Sequence, residues 1–96
     1  PERVKYYSEL SGLKPAAVKI SGARKRWGSC GAKGTLNFAG RLVLAPLSVV
    51  DYVVVHELVH LVERNHSKRF WRRVEGIMPD YKIHRRWLRS RGSLVG

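Results

Sequence analysis

The stretch VVVHELVHLVERNH, residues 53–66, decides the fold. A run of valines and leucines is interrupted by His56, Glu57, His60, Glu63 and His66. Burying polar groups without partners costs about 2–7 kcal/mol each on transfer scales, so something must satisfy these side chains. Val49, Val50, Val53, Val54 and Val55 are β-branched, and local propensity alone favours a strand. Three features predict a helix over 47–64 instead. The segment is long for a strand, Pro46 suits a first helical turn, and the His/Glu spacing makes sense only at about 3.6 residues per turn. Apolar residues lie all round this helix, which predicts burial on most sides.

On a helix, His56 and His60 stand one turn apart and project the same way. That separation allows two imidazoles to bind one tetrahedral zinc ion. Glu57 points away from both by the helical advance per residue, so it flanks the ion rather than joining the pair as an equivalent ligand. This is the H-E-x-x-H arrangement, in which two histidines hold the metal and the glutamate serves as general base for a metal-activated water. The same pentapeptide also arises on helices that bind nothing, with its histidines simply hydrogen-bonded in a core. The apolar setting and the nearby third histidine favour the metal.

Three residues compete for the third ligand position. His66 is favoured, which requires the chain to leave the helix and swing back, and Asn65 suits the left-handed conformation of such a turn. The spacing His-x3-His-x5-His equals that of metzincins, although Glu63 stands where those have Gly. Glu63 projects along the face of His56 and is a rival ligand or supporting group. Glu75 follows His60 at a spacing that suits a gluzincin-like site. His84, nearer the basic tail, reads as a surface or packing histidine.

Outward from this segment the pattern is α+β. PERVKYYSELSG, residues 1–12, reads as a short helix with Val4, Tyr7 and Leu10 on one face and Gly12 as its stop. Residues 16–30 read as a strand in which Val18 and Ile20 alternate with Lys19 and Ser21. GAKG, residues 31–34, is a turn. Residues 35–46 regain strand character, and Ala39-Gly40 is either a tight hairpin or a kink. After the central helix, Phe70, Trp71, Val74, Ile77 and Met78 form an apolar stripe that Pro79 ends. Asp80 is expected to cap a last helix with Ile83, Trp87 and Leu88 inward, ended by Gly92.

The 96 residues suit one compact domain, 1–96, and the chain begins at Pro1 without Met, as a piece of a longer protein would. No apolar run suits a transmembrane helix and no signal peptide opens the chain. Cys30 is the one cysteine, which excludes an internal disulfide framework and points to a cytoplasmic setting. The formal net charge is +12, and residues 67–96 hold nine Lys and Arg against Glu75 and Asp80. Such a half attracts nucleic acid, an acidic protein or an anionic surface, or is simply a solvated face. Trp27, with Arg24, Lys25 and Arg26, reads either as a stacking platform with phosphate grips or as a core residue beside solvated charges; Arg24 or Arg26 can also reach the metal cleft. Tyr81 is a candidate to bind substrate or an oxyanion from a loop. Tyr52, one turn before His56, and Met78 fit core packing as well as any role at the metal. Cys30 reads as a small buried residue rather than a reactive thiol or inhibitory ligand.

At RWGSC, RLVLAP, DYVVVHELVHLVERNHSKRFW and PDY…RRWL, spanning Arg24 to Leu88, the sequence resembles the YgjP-like metallopeptidase domain, which is similar to SprT-like and Wss1-like zincins. The resemblance implies a small zincin-like α+β domain, a zinc held by His56, His60 and His66, Glu57 as catalytic base, and a strand over the active-site helix that pairs with an extended peptide. Relatives that cut DNA-bound proteins make nucleic acid a further possible partner. The expected function is zinc-dependent hydrolysis, foremost of peptide bonds. The alternatives are a nucleic-acid-associated module with structural zinc and a metal-dependent phosphohydrolase.

Overall fold

The structure, a computed structural model, describes residues 2–22 and 26–91. The chain runs α1 (Glu2–Ser11), β1 (Ala17–Ser21), β2 (Gly28–Cys30), β3 (Thr35–Ala39), a 3₁₀ helix (Gly40–Leu44), α2 (Leu47–Val59), α3 (Lys68–Ile77) and α4 (Tyr81–Arg89). The expected α+β class is observed, and of the two forms the sequence leaves open for the small sheet, antiparallel or mixed, the mixed one is found.

The segment expected as one strand over 16–30 divides into two. β3 lies at the centre of a three-stranded sheet of order β1-β3-β2. β1 pairs with it in parallel, Ala17 against Thr35 through Ser21 against Ala39. β2 pairs antiparallel, Gly28 against Phe38 and Cys30 against Leu36. A shared partner, invisible to local alternation, places β1 and β2 on opposite edges. Ile20, which alternates with Lys19 and Ser21 as Val18 does, is exposed on an edge strand. The turn at residues 31–34 is present, with the Gly34 amide donating to the Gly31 carbonyl at 3.0 Å. Beyond β3 there is neither hairpin nor simple kink at Ala39-Gly40: the strand passes into the 3₁₀ helix, whose Leu42 is buried while Val43 and Leu44 face out.

α2 is the hub of the molecule, in contact with α1, α3, α4, β2 and the 3₁₀ helix. Its valines are helical because burial outweighs propensity. A β-branched residue in a helix costs at most about 0.7 kcal/mol relative to alanine. Burying each valine side chain returns roughly 1.5 kcal/mol or more, and Val49, Val53, Val54, Val55 and Val59 are all buried. Leu36 and Phe38 of β3 join the same core, as do Phe70 and Val74 of α3 and Leu88 of α4. Pro46 occupies the N-cap position, its carbonyl accepting from Val49 and Val50.

The outer helices dock on α2 with some departures from expectation. α1 buries Val4, Tyr7 and Ser8 but leaves Leu10 exposed, and the Gly12 amide closes it on the Ser8 carbonyl at 2.9 Å. Arg3 donates two hydrogen bonds of 2.7 Å to the buried Asp51, tying α1 to α2. The Ser67 hydroxyl caps α3 by accepting from the Phe70 amide. Asp80 stands at the N-cap of α4 but makes no capping bond; its carboxylate accepts from His84 Nε2 at 3.1 Å. α4 turns His84 inward with Tyr81 and Leu88, and Ile83 outward. Gly92 lies outside the described residues. No helix among the described residues is long and apolar enough to cross a membrane.

Candidate metal centre

His56 lies in the last turn of α2 and His60 is its C-cap, both packed against Phe70 of α3. Both are buried, and Glu57 between them is completely so. The helix then tightens rather than reversing through a left-handed residue. The Leu61 and Val62 amides bond three residues back, to Leu58 and Val59, each at 3.0 Å. No described residue other than glycine has a positive φ, so Asn65 is not the left-handed pivot that the spacing suggested. The tightened turn brings the Glu63 carbonyl 2.9 Å from His60 Nδ1. A carbonyl only accepts, so Nδ1 carries the ring proton and neutral His60 presents a lone pair at Nε2. The chain continues until His66 Nε2 lies 3.0 Å from that atom. One donor nitrogen from each of His56, His60 and His66 lies within 4.8 Å of the others.

Two sets of contacts hold the returning loop. Arg64 donates to the Gly31 carbonyl at 3.1 Å and to the Ala32 carbonyl at 3.0 Å, and its Nη1 approaches Cys30 Sγ at 3.7 Å. The loop is thereby fastened to the β2–β3 turn. Glu63 Oε2 is 3.0 Å from Arg73 and 3.6 Å from Arg69, both on α3. The Glu63 carboxylate is thus engaged away from the three imidazoles, while its carbonyl orients His60. Phe70 packs against all three rings, with centroid distances of 4.9, 4.6 and 5.0 Å to His56, His60 and His66. Trp71 stacks on His66 at 5.8 Å and 29°. Glu75 lies apart from this cluster, on the exposed side of α3.

The electrostatics suit a cation. Burial, then the charges of His66 and Arg85, push His56 down to about 3. Burial also lowers His60. Both rings are therefore neutral at pH 7, the form in which imidazole ligates. Burial raises Glu57 to about 7, against the opposing pull of His60, His66 and Arg26. His56 Nδ1 is 3.3 Å from Glu57 Oε2, yet the geometry is not that of a hydrogen bond, and Nδ1 and both Glu57 oxygens have no hydrogen-bond partner among the described residues. Convergent neutral imidazoles beside buried, unpartnered polar atoms are a donor set that fits one divalent metal.

Glu57 sits beneath β2. A Cβ placed on Gly28 would lie 3.2 Å from Glu57 Cγ and 3.1 Å from Val53 Cγ1, so the strand approaches α2 this closely only through glycine. Of the other candidates, Arg26 is exposed at the entry to β2 and its charge reaches Glu57. Arg24 lies outside the described residues. Trp27 is buried, with the Arg41 guanidinium 4.0 Å from its ring centroid. Tyr81 is not on a loop: it opens α4 and stacks on Trp71 at 5.3 Å and 17°. Tyr52 is buried with its ring edge-on to His56, and burial raises its hydroxyl above the usual phenol range. Met78 belongs to the core. Cys30 is half-buried, and burial raises its thiol against the opposing charge of Arg64. Arg64, Gly28 and Arg85 were not among the residues singled out from sequence. Gly28 carried the only usable signal, a glycine directly after the Arg-Lys-Arg-Trp run, at the start of a short strand.

A family model described as YgjP-like, metallopeptidase domain, matches residues 1–91. Among solved structures, the crystal structure of the metallopeptidase zymogen of Pyrococcus abyssi abylysin is similar in fold, with a TM-score of 0.84 over 99% of this chain and 97% of that one, at 22% sequence identity. Comparison with curated proteins gave no match.

Proposed function

Since the chain belongs to the YgjP-like metallopeptidase domain family, we propose that His56, His60 and His66 hold a single zinc ion and that Glu57 is the general base of peptide-bond hydrolysis. The observation that carries this reading is the convergence of three imidazole donors within 4.8 Å next to a carboxylate that is wholly buried and without a hydrogen-bond partner. Zinc, when bound, supplies Lewis acidity toward water and a substrate carbonyl.

The remaining work falls to the protein's own groups. Glu57, buried beside the three imidazoles, is placed to accept a proton from water and return it to the leaving amine. Its burial excludes bulk solvent from that exchange. His60 is held by its Nδ1–H bond to the Glu63 carbonyl, an orienting contact of the kind that fixes ring position and tautomer at metal sites. β2 is an edge strand directly over Glu57. Its outer edge, which pairs with no strand among the described residues, suits an extended peptide added as a further strand, which would lay the scissile bond near Glu57.

Metal analysis of the purified chain, together with cleavage of an unfolded protein such as casein, tests the reading. One zinc per chain and cleavage abolished by chelation are expected. Cleavage that survives both chelation and Glu57→Gln overturns it.

A further inference from the structure

A basic cleft of about 280 Å³ opens between α3 and α4, lined by Lys68, Trp71, Arg72, Glu75, Tyr81 and Arg85. Trp71 is its link to the metal centre: the same indole stacks on His66 and lies 6.0 Å from the His56 ring. Three cations face the single carboxylate of Glu75. Arg3, Arg69 and Arg73 are all ion-paired, but Lys68, Arg72 and Arg85 pair with no acid among the described residues. Arg85 is half-buried, held 4.5 Å from the Trp71 ring centroid. Its N–H donors form no hydrogen bond among the described residues. A preorganised guanidinium with open donors is the group best suited to a carboxylate.

We propose that this cleft is a substrate subsite for a carboxylate, supplied by an acidic side chain or by the free C-terminus of a peptide whose scissile bond lies at the three histidines; the inference rests on the peptidase reading above. A nucleic acid fits less well. Stacking of bases needs an open aromatic face, and Trp71 is already engaged by His66, Tyr81 and Arg85, so a base would have to displace one of them. Tyr81 acts here as a wall of the cleft, holding the indole in place.

The test uses the zinc-loaded protein and quenched fluorescent peptides in matched pairs. One set differs only by Glu or Gln at each position around the cut, the other only by a free or amidated C-terminus, so the two sources of carboxylate are read separately. The wild type is expected to favour the acid by about tenfold or more in kcat/KM within one set. Arg85→Met should reduce that ratio to within about twofold. Lys68→Gln with Arg72→Gln, on the solvent side of α3 where folding is not at stake, should also lower it. No preference in the wild type, or a preference unchanged in both variants, overturns the proposal. Titration of the protein with N-acetylglutamate and N-acetylglutamine, followed by Trp71 indole NMR shifts, gives an independent reading. Saturable binding of the acid alone, lost in the variants, supports the cleft even if no peptide is cut, in which case the peptidase reading fails and the anion site stands. Equal shifts from both compounds overturn it. So does a single-stranded oligonucleotide that displaces N-acetylglutamate and loses affinity in the same variants.

Discussion

The Nε2 atoms of His60 and His66 lie 3.0 Å apart, while the other ring nitrogen of His60 donates to the Glu63 carbonyl. His66 Nε2 therefore donates to the His60 Nε2 lone pair, and in the proposed site a cation would take the place of that proton. His66→Ala removes one of three donors without touching the core, since His66 is exposed. We expect an unchanged circular dichroism spectrum and a loss of zinc affinity of at least about a hundredfold, read by competition with a chromogenic chelator. Undiminished affinity would exclude His66 from the ligand set.

Glu57→Gln keeps the shape of a side chain with no exposure and removes its ability to accept a proton. The variant should fold, bind zinc as the wild type does, and lose about 10²–10⁴-fold in kcat, the usual contribution of a general base. Metal content and peptide turnover measured on the same preparation check both halves.

Gly28→Ala tests how closely β2 must approach. The added methyl meets Val53, the Asn37 carbonyl and Glu57, all at 3.1–3.2 Å, so either the strand or the carboxylate shifts. Because none of the three histidines is touched, zinc affinity should stay within about twofold of wild type, whereas kcat should fall about tenfold or more, as small misplacements of catalytic groups do. Gly28→Ala with full activity would show that Glu57 has slack beneath the sheet.

Arg64 reaches the carbonyls of Gly31 and Ala32, more than thirty positions earlier in the chain. It anchors the loop that delivers His66. Replacing it with alanine should weaken zinc binding by about 10–100-fold, in the range of other orienting groups around metal sites, with little change in the stability of the metal-free protein. Isothermal titration with zinc and thermal melts in chelator separate the two effects.

Metal removal should itself be visible in the melting curve. A ligand at a hundred times its Kd stabilises the folded state by about 2.7 kcal/mol, which for a domain of this size corresponds to roughly 10–20 °C in Tm. Differential scanning calorimetry across a zinc series should show that shift, and the shift should vanish in His56→Ala.

The parts of the site legible in sequence are those set by helical periodicity. His56, Glu57 and His60 are placed by the 3.6-residue repeat alone, and His66 by the short count back from the helix end. Contacts between distant segments were hidden. Arg64 reads as one more surface cation until the β2–β3 turn is seen against it. Residues 16–30 read as a continuous strand because alternation carries no information about which neighbour each half will find, and β3 takes one half on each edge. Ile83, expected inward, faces out because a rotation of about 100° about the α4 axis separates adjacent residues, and the docking of α4 on α2 chooses the face that buries Tyr81, His84 and Leu88. The helical state of the valine-rich α2 shows the same dependence, since it is secured by the neighbours that surround it.

A single indole, Trp71, separates the three imidazoles from the cationic cleft. Any coupling between binding at the imidazoles and binding in the cleft would run through this indole, and such coupling is reciprocal. By whatever factor zinc alters the cleft's hold on an anion, the anion alters the protein's hold on zinc. If the three imidazoles hold a metal and the cleft a carboxylate, as proposed, the affinity for the metal would then depend on the substrate bound.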